Sequence, residues 1–227
     1  IFELIDFTPD LVYHLGEYSR VEQSFDDIDK VLLFNKIGTL KVLEFCRKHH
    51  CKLVYAGSST KFGDGGLGKD QSPYAWSKSS NTELIINYGN WYNLEYAIVY
   101  FYNVYGKGEI STGKYATLIA LFAEKMKKRE PLTVVSPGTQ QRNFTHIDDI
   151  VSGLLIVGEK GNGDGYGIGS PETYTVLEIA KMFGGEVQIL PERKGNRMTS
   201  EVITQKTEAL GWKAKKHIKD FIEEIKK

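Results

Sequence analysis

Cysteine is scarce in this sequence, and its charges are balanced. The chain of 227 residues contains two cysteines, Cys46 and Cys51, and 29 basic residues against 29 acidic ones. Two cysteines cannot form the disulfide framework of a small secreted domain, so we expect free thiols, a reducing compartment and a cytoplasmic location. A net charge of zero lacks the basic footprint of proteins that bind nucleic acid or membrane surfaces, so we expect neither partner.

Long apolar runs and metal-ligand spacings are also missing. The longest apolar stretches, such as 118–123, are far too short to cross a bilayer. The five histidines and two cysteines do not recur at the short intervals that are typical of metal sites. With 41% hydrophobic and 26% charged residues, the composition is that of a globular domain with a sizeable core. We therefore expect a globular protein without a metal.

Short apolar segments alternate with amphipathic ones along the chain. Runs rich in β-branched and aromatic residues predict strands at 11–15, 52–56, 96–102, 132–135 and 166–169. Apolar residues at helical spacing predict helices at 26–50, 74–91, 114–129, 146–159, 175–183 and 217–226. The stretch 58–73, rich in glycine and serine, is predicted to be a loop. Strands that alternate with helices form a mostly parallel sheet, so the predicted fold class is α/β, with ligands at the carboxyl ends of the strands.

Ser58, Tyr74 and Lys78 are the strongest candidates for chemistry. Tyr74 and Lys78 are four residues apart, so they lie on one face of the predicted helix. An ammonium beside a phenol favours the phenolate, and a phenolate can take a proton from a sugar hydroxyl. Ser58 follows the second predicted strand and could share that proton. The Y-x-x-x-K spacing also occurs on many surface helices, so it needs support from the rest of the sequence.

A series of motifs in one order resembles the extended short-chain dehydrogenase/reductase family, which includes nucleotide-sugar epimerases and dehydratases. Residues 12–16 resemble the strand that ends in H-L-A-A, and residues 35–39 resemble N-x-x-G-T. Residues 57–63 resemble S-S-S-x-x-V-Y-G, and Tyr74 with Lys78 matches Y-x-x-x-K. The later matches are to F-N-V-Y-G at 102–106, Q-x-R-D-F-x-x-V-x-D at 141–149, R-P-G-D-x-R at 193–197 and L-G-W at 210–212.

The resemblance implies a Rossmann-like doubly wound sheet with a smaller α/β substrate domain, NAD as cofactor and a nucleotide-diphosphate sugar as substrate. Ser58, Tyr74 and Lys78 are then the catalytic residues. The implied cofactor contacts come from Leu15, Gly16, Asn35, Tyr74 and Lys78. The implied substrate contacts come from Ser59, Thr60, Asn103, Arg142 and Arg197. Arginine suits a diphosphate because its fork of donors binds phosphate oxygens bidentately.

The same resemblance implies a division of the chain and an assembly. Residues 1–102 and 143–166 would form the NAD-binding domain, which is incomplete at its N-terminus. Residues 103–142 and 167–227 would form the nucleotide-sugar-binding domain. The predicted helices at 26–50 and 74–91 correspond to the usual dimer surface of the family, so we expect a homodimer.

The beginning of the sequence departs from the family pattern. The family begins with a strand, a Gly-rich turn and a helix that hold the pyrophosphate of NAD, and no such fingerprint opens this chain. Two βαβ steps of roughly 30 residues each are missing. The glycine cluster at 63–68 follows the catalytic strand and is interpreted as a flexible lid. We therefore expect that further residues precede Ile1 in the protein.

The residues after Ser58 discriminate within the family. Dehydratases of the family carry Asp and Glu directly after the catalytic hydroxyl, whereas this chain has Ser59 and Thr60. Neither hydroxyl is a useful general base at neutral pH, so we favour an NAD-dependent nucleotide-sugar epimerase that acts through a transient 4-keto sugar. A 4-keto reductase or dehydrogenase, a dehydratase and a non-catalytic nucleotide-sugar-binding protein remain open as alternatives.

Two further positions depart from the motifs. Glu17 replaces the second alanine of H-L-A-A, and it is either a carboxylate on the substrate side or the partner of nearby Arg20. As a base near the sugar, Glu17 would bring a dehydratase back into contention. Asn143 replaces an aspartate beside Arg142, which removes one expected carboxylate near the diphosphate.

Overall fold

A four-stranded parallel sheet forms the centre of the protein. The computed structural model describes residues 6–192, 198, 199 and 201–227. The sheet has the order β1-β2-β3-β8, built from β1 (Leu11–His14), β2 (Lys52–Ser58), β3 (Tyr96–Phe101) and β8 (Gly163–Ile168). The central strands β2 and β3 are apolar runs because helices cover both faces of the sheet. The predicted α/β class and parallel sheet are confirmed.

Helices pack on the two faces of this sheet. One face carries α2 (Gly38–His49) and α3 (Pro73–Tyr92), which bury Tyr55 and Ile98 of the central strands. The other face carries α5 (Ile147–Lys160), which buries the alternate residues, among them Val99. This alternation follows from the two-residue period of a strand.

The predicted helix over 26–50 is interrupted in the structure. A 3₁₀ turn at Glu22–Phe25 and a short α1 (Ile28–Val31) lead into a π-helical segment, Leu32–Ile37, which continues as α2. Several large apolar side chains of this region point to solvent, among them Leu33, Phe34 and Ile37.

The remaining elements form a second cluster beside the carboxyl ends of the sheet. Three two-stranded pairs contribute, β4 (Val104–Tyr105) with β7 (Thr145–His146), β5 (Leu132–Val135) with β10 (Val187–Leu190), and β6 (Gln141–Asn143) with β9 (Thr173–Thr175). The helices of this cluster are α4 (Leu118–Lys128), α6 (Val176–Phe183) and α8 (Ile218–Lys226), whereas α7 (Gln205–Glu208) packs against β8 of the central sheet. The apolar core of this cluster includes Phe122, Phe144, Phe183 and Ile222.

Two further predictions about elements need correction. The stretch predicted as a loop over 58–73 contains 3₁₀ turns at Ser59–Asp70. The helix predicted from residue 114 begins at Leu118, because the chain up to Thr117 is in turns and extended backbone. The strand β10 was not predicted. The sequence of residues 1–5 also predicts the last turns of a helix, and these residues lie outside the described ranges.

The division of the chain into two domains remains a prediction. The strand β8 runs past the boundary proposed at residue 166, since Ile168 pairs with Phe101 in the central sheet. Trp212 also packs with the central sheet, where its indole N–H donates to the Asp149 carbonyl at 3.0 Å.

Candidate functional site

A cleft of about 750 Å³ opens at the carboxyl ends of β2 and β3. Ser58 is the last residue of β2, and Asn103 follows β3, so two strand ends supply polar groups to one wall. The second cluster supplies the opposite wall with Leu118 and Val176. This is the place where parallel α/β sheets bind ligands.

The start of α3 fixes the positions of Tyr74 and Lys78. Ser72 caps the helix, because its buried hydroxyl accepts from the Ala75 backbone N–H at 3.0 Å, and Pro73 begins the first turn. Tyr74 therefore lies in the first turn, next to the cleft, and Lys78 lies one turn further into the protein.

The hydroxyls of Ser58 and Tyr74 are neighbours in the cleft. The Tyr74 phenol donates to Ser58 Oγ at 3.3 Å, and Ser58 Oγ also lies 2.8 Å from Thr60 Oγ1. The Thr60 backbone N–H donates to Ser58 as well, at 3.3 Å, so the serine hydroxyl is held on two sides. A hydroxyl held in this way can relay a proton between Tyr74 and a hydroxyl of a bound ligand.

Lys78 is buried, and its ammonium has two close partners. It forms an ion pair with Glu17 and donates to the Ala56 carbonyl, and it sits 4.3 Å from the centre of the Tyr55 ring. Burial lowers the pKa of Lys78, while the charge of Glu17 opposes that shift. The ion pair with Glu17 thus stabilises the positive charge of Lys78, whose side chain is only 5% exposed.

Both interpretations of Glu17 drawn from the sequence are wrong. Arg20 donates to the carbonyl of Tyr115 instead of pairing with Glu17. The Glu17 side chain is only 4% exposed and lies behind Lys78, whereas Arg20 lines the cleft. Glu17 is therefore neither a carboxylate on the substrate side nor the partner of Arg20.

The predicted cofactor residues occupy different environments. Leu15 and Gly16 follow β1 and are exposed at the carboxyl end of the sheet. Asn35 is fully buried. Its side-chain oxygen accepts from the Tyr18 backbone N–H at 2.7 Å. Its side-chain nitrogen donates to the Tyr18 carbonyl at 3.1 Å and to Ser77 Oγ at 2.9 Å. Asn35 therefore ties the loop after β1 to α3, and its contact with a cofactor remains a prediction.

The residues at the end of β1 fit a nicotinamide ribose. An ammonium has three N–H donors, and the partners of Lys78 in the described structure occupy two of them. The third can serve a ribose hydroxyl. A Cβ added at Gly16 would have no atom within 4 Å, so the space beside Leu15 is open to a ligand. Lys78, Leu15 and Gly16 would hold the group.

Four of the five predicted substrate residues line the cleft. Ser59 and Thr60 lie beside Ser58, and Asn103 and Arg142 lie further along the wall. Asn103 has a left-handed φ of 29°, and its side-chain amide donates to the Asn143 carbonyl at 3.1 Å. Arg197 lies outside the described residues.

Asn143 serves a structural purpose. Its buried amide nitrogen lies 3.1 Å from the carbonyls of Ser170 and Glu172 and 3.0 Å from Thr173 Oγ1. These bonds hold the turn that leads into β9. The asparagine therefore fixes the wall that carries Arg142.

Sequence reasoning did not place Glu109 or Arg20 in the cleft. The Glu109 carboxylate accepts from the Gly106 backbone N–H at 3.0 Å, and burial raises the pKa of this carboxyl. The only signal was a lone acidic residue in the glycine-rich segment after β4, which is common in surface loops.

Neither a metal centre nor a membrane span was found in the part of the chain that the structure describes. No group of three or more His, Cys, Asp and Glu side chains in this part could hold a metal ion. None of the helices in the same ranges is long and apolar enough to cross a membrane.

Comparison with known proteins identifies the family. A putative UDP-glucose 4-epimerase of Methanocaldococcus jannaschii is 30% identical over 206 residues, covering 84% of this chain and 67% of that protein. UDP-glucuronic acid decarboxylase 4 of Arabidopsis thaliana is 26% identical over 237 residues. The alignment covers 95% of this chain and 53% of the decarboxylase. The chain thus spans about half the length of this plant relative.

A solved structure shares the fold over nearly the whole chain. The UDP-glucose 4-epimerase of Thermus thermophilus, in complex with NAD, superposes with a TM-score of 0.87 at 26% identity. The superposition covers 96% of this chain and 76% of that one. Residues 1–169 match the sequence pattern of the NAD dependent epimerase/dehydratase family. The chain belongs to this family of NAD-dependent enzymes.

Proposed function

We propose that this protein is an NAD-dependent nucleotide-sugar epimerase that acts through a transient 4-keto sugar. The observation that carries the proposal is the 3.3 Å contact between the hydroxyls of Tyr74 and Ser58 in an open cleft. The side chains that follow Ser58 are Ser59 and Thr60, which offer hydrogen bonds and no carboxylic acid. This arrangement favours removal and return of a hydride over elimination of water.

The residues of the chain have distinct tasks in this reaction. Tyr74, as the phenolate, takes the proton from the sugar 4-hydroxyl, and Ser58 relays it. The Lys78 ammonium, which is paired with Glu17, tunes the proton affinity of Tyr74, and Lys78 would also hold the nicotinamide ribose. Bound NAD would supply the hydride acceptor and donor that this reaction needs at the sugar carbon.

The diphosphate tether lets the sugar rotate between the two hydride transfers, so that its opposite face is presented to the cofactor. We assign this tether to Asn103 and Arg142 in the cleft, together with Arg197. Arg142 supplies the planar fork of donors that matches phosphate oxygens. Relatives named for acting on UDP-glucose and UDP-glucuronic acid support a nucleoside-diphosphate sugar as the substrate.

The position of Glu17 weakens the case for a dehydratase. A dehydratase needs a general base near the sugar, and the Glu17 carboxylate is buried behind Lys78. A 4-keto reductase or dehydrogenase would share Ser58, Tyr74 and Lys78 but would release its cofactor in each turnover. A binding protein without activity would not need Tyr74 and Ser58 in contact.

The first test replaces the proposed base. We expect Tyr74→Phe to lower the rate of epimer interconversion by about 100-fold or more, because the base is removed while the ring is kept. The assay follows the 4-epimer by NMR, with UDP-glucose or UDP-glucuronic acid as substrate and NAD supplied. Tyr92→Phe is the matched control, since Tyr92 is exposed at the far end of the same helix.

The products separate the alternatives. Interconversion without net formation of NADH indicates an epimerase, and stoichiometric NADH indicates a dehydrogenase. Turnover that survives Tyr74→Phe would contradict the assignment of the base.

We also propose that the protein forms a homodimer. The surface that supports this is apolar and exposed, and it consists of Leu33, Phe34 and Ile37 of the π-helical segment and Trp76 of the neighbouring α3. Contiguous apolar surface of this kind is typical of interfaces between protein chains.

A further inference from the structure

Glu17 is a buried carboxylate that the reaction described above does not use. It lies in the loop after β1, where the family motif that the sequence resembles has alanine. Its side chain is 4% exposed, and buried carboxylates of this kind require partners because removing them from water is costly.

The partners of Glu17 come from three different elements. One carboxylate oxygen pairs with the Lys78 ammonium of α3. The other accepts from Thr39 Oγ1 of α2 at 2.9 Å, from Asn81 Nδ2 of α3 at 3.1 Å and from the Tyr55 hydroxyl of β2 at 3.2 Å. The carboxylate is therefore fixed in place against the ammonium.

Other titratable groups surround this pair. His14 of β1 and Lys36 of the π-helical segment both have a pKa that burial lowers, and Glu17 opposes the shift in each. Tyr55 of β2 has a pKa raised by burial. The charge of Glu83 in α3 also opposes the lowering of the Lys36 pKa.

The pairing changes the charge that Tyr74 experiences. A lone ammonium favours the phenolate, whereas an ammonium in contact with a carboxylate forms a unit with no net charge. We propose that Glu17 is a positioning residue that neutralises Lys78 and thereby sets the pH range over which Tyr74 exchanges its proton. This inference rests on the proposed function, in which Tyr74 is the base.

Removal of the Glu17 charge should lower the pH at which Tyr74 loses its proton. In Glu17→Gln the size of the side chain is kept, but the site carries one more positive charge. The unpaired ammonium of Lys78 then favours the Tyr74 phenolate, so Tyr74 loses its proton at lower pH. We expect the acidic limb of the kcat/KM profile to move down by about one pH unit or more.

A matched control separates charge from structure. Tyr55→Phe removes one hydrogen bond to Glu17 but leaves every charge and the aromatic ring in place. We expect its pH profile to coincide with that of the unaltered protein. A shift in Tyr55→Phe as large as that in Glu17→Gln would show that the effect is structural and would overturn the proposal.

A second readout does not depend on turnover. The near-ultraviolet absorbance of tyrosinate is titrated in Glu17→Gln and in the unaltered protein, each with and without Tyr74→Phe. We expect a tyrosinate signal that appears at lower pH in Glu17→Gln and is absent once Tyr74 is replaced. An unmoved signal, or one that moves to higher pH, would contradict the proposal.

A charge-balanced variant covers the case in which Glu17→Gln does not fold. Glu17→Gln combined with Lys78→Gln removes both buried charges, so no unpaired ion remains. We expect this double variant to show a Tyr74 titration near that of the unaltered protein, while Lys78→Gln alone moves it to higher pH. Equal titrations in the single and double variants would overturn the proposal. If the unaltered protein shows no epimerase activity, these titrations alone decide the role of Glu17, and only the proposed function fails.

Discussion

Gly167 marks a point where two chain segments touch backbone to backbone. A Cβ at this position in β8 would overlap the carbonyl oxygen of Ile203, which is part of the main chain and cannot rotate away. We expect Gly167→Ala to lower the free energy of unfolding by about 1–3 kcal/mol, measured by urea denaturation. Gly16→Ala is the control, because a Cβ there meets no atom within 4 Å. Equal stability of both variants would contradict the close approach.

Individual site residues could be predicted only where they recur at helical spacing or end a strand. Tyr74 and Lys78 were found because four residues make one helical turn, and Ser58 because it ends a strand. The partner of Glu17 was missed because Lys78 lies 61 residues away in sequence, and a contact of that range leaves no periodic signal. Glu109 was missed for a similar reason, since burial alone distinguishes it from a surface acid.

Two helix caps of the same kind allow a comparison at the scale of elements. Ser72 caps α3, which carries the proposed catalytic residues, and Thr175 caps α6 with a complete capping box to Glu178. We expect Ser72→Ala and Thr175→Ala each to cost about 1 kcal/mol of stability, measured by thermal unfolding. Only Ser72→Ala should also lower kcat, because it loosens the turn that holds Tyr74. Equal losses of kcat would argue against this.

The elements themselves were predictable where burial imposes a pattern. The strands β2 and β3 were found within two residues, since both faces of each are covered and the runs are apolar. The bounds of α6 were predicted within one residue, since its apolar residues recur at helical spacing. The strand β10 was missed because none of its residues is fully buried and Ile189 is exposed, so that its sequence resembles a surface segment, whereas its partner β5 buries Leu132 and Val134.

Self-association is a property of the whole molecule. Phe34 is 50% exposed in the proposed dimer surface. We expect Phe34→Glu to convert a dimer to a monomer, because a charge would be buried in an apolar interface, and sedimentation equilibrium measures the change. Ile189→Glu is the control, an exposed apolar residue in β10, and should leave the dimer intact. A monomeric unaltered protein would contradict the proposed assembly.

The second cluster contains residues from inside and from outside the range that matches the sequence pattern of the family. That pattern ends at residue 169, yet Val176 lines the cleft, and Phe183 and Ile222 complete the core around Phe122. The reacting groups and most of the described wall opposite them therefore lie within the range of that pattern, and the later stretch contributes Val176 and the core behind the wall. During evolution, substitutions in the core after residue 169 can therefore shift this wall from behind while Ser58, Tyr74 and Lys78 stay unchanged, so the shape of the cleft can vary independently of the proposed catalytic groups.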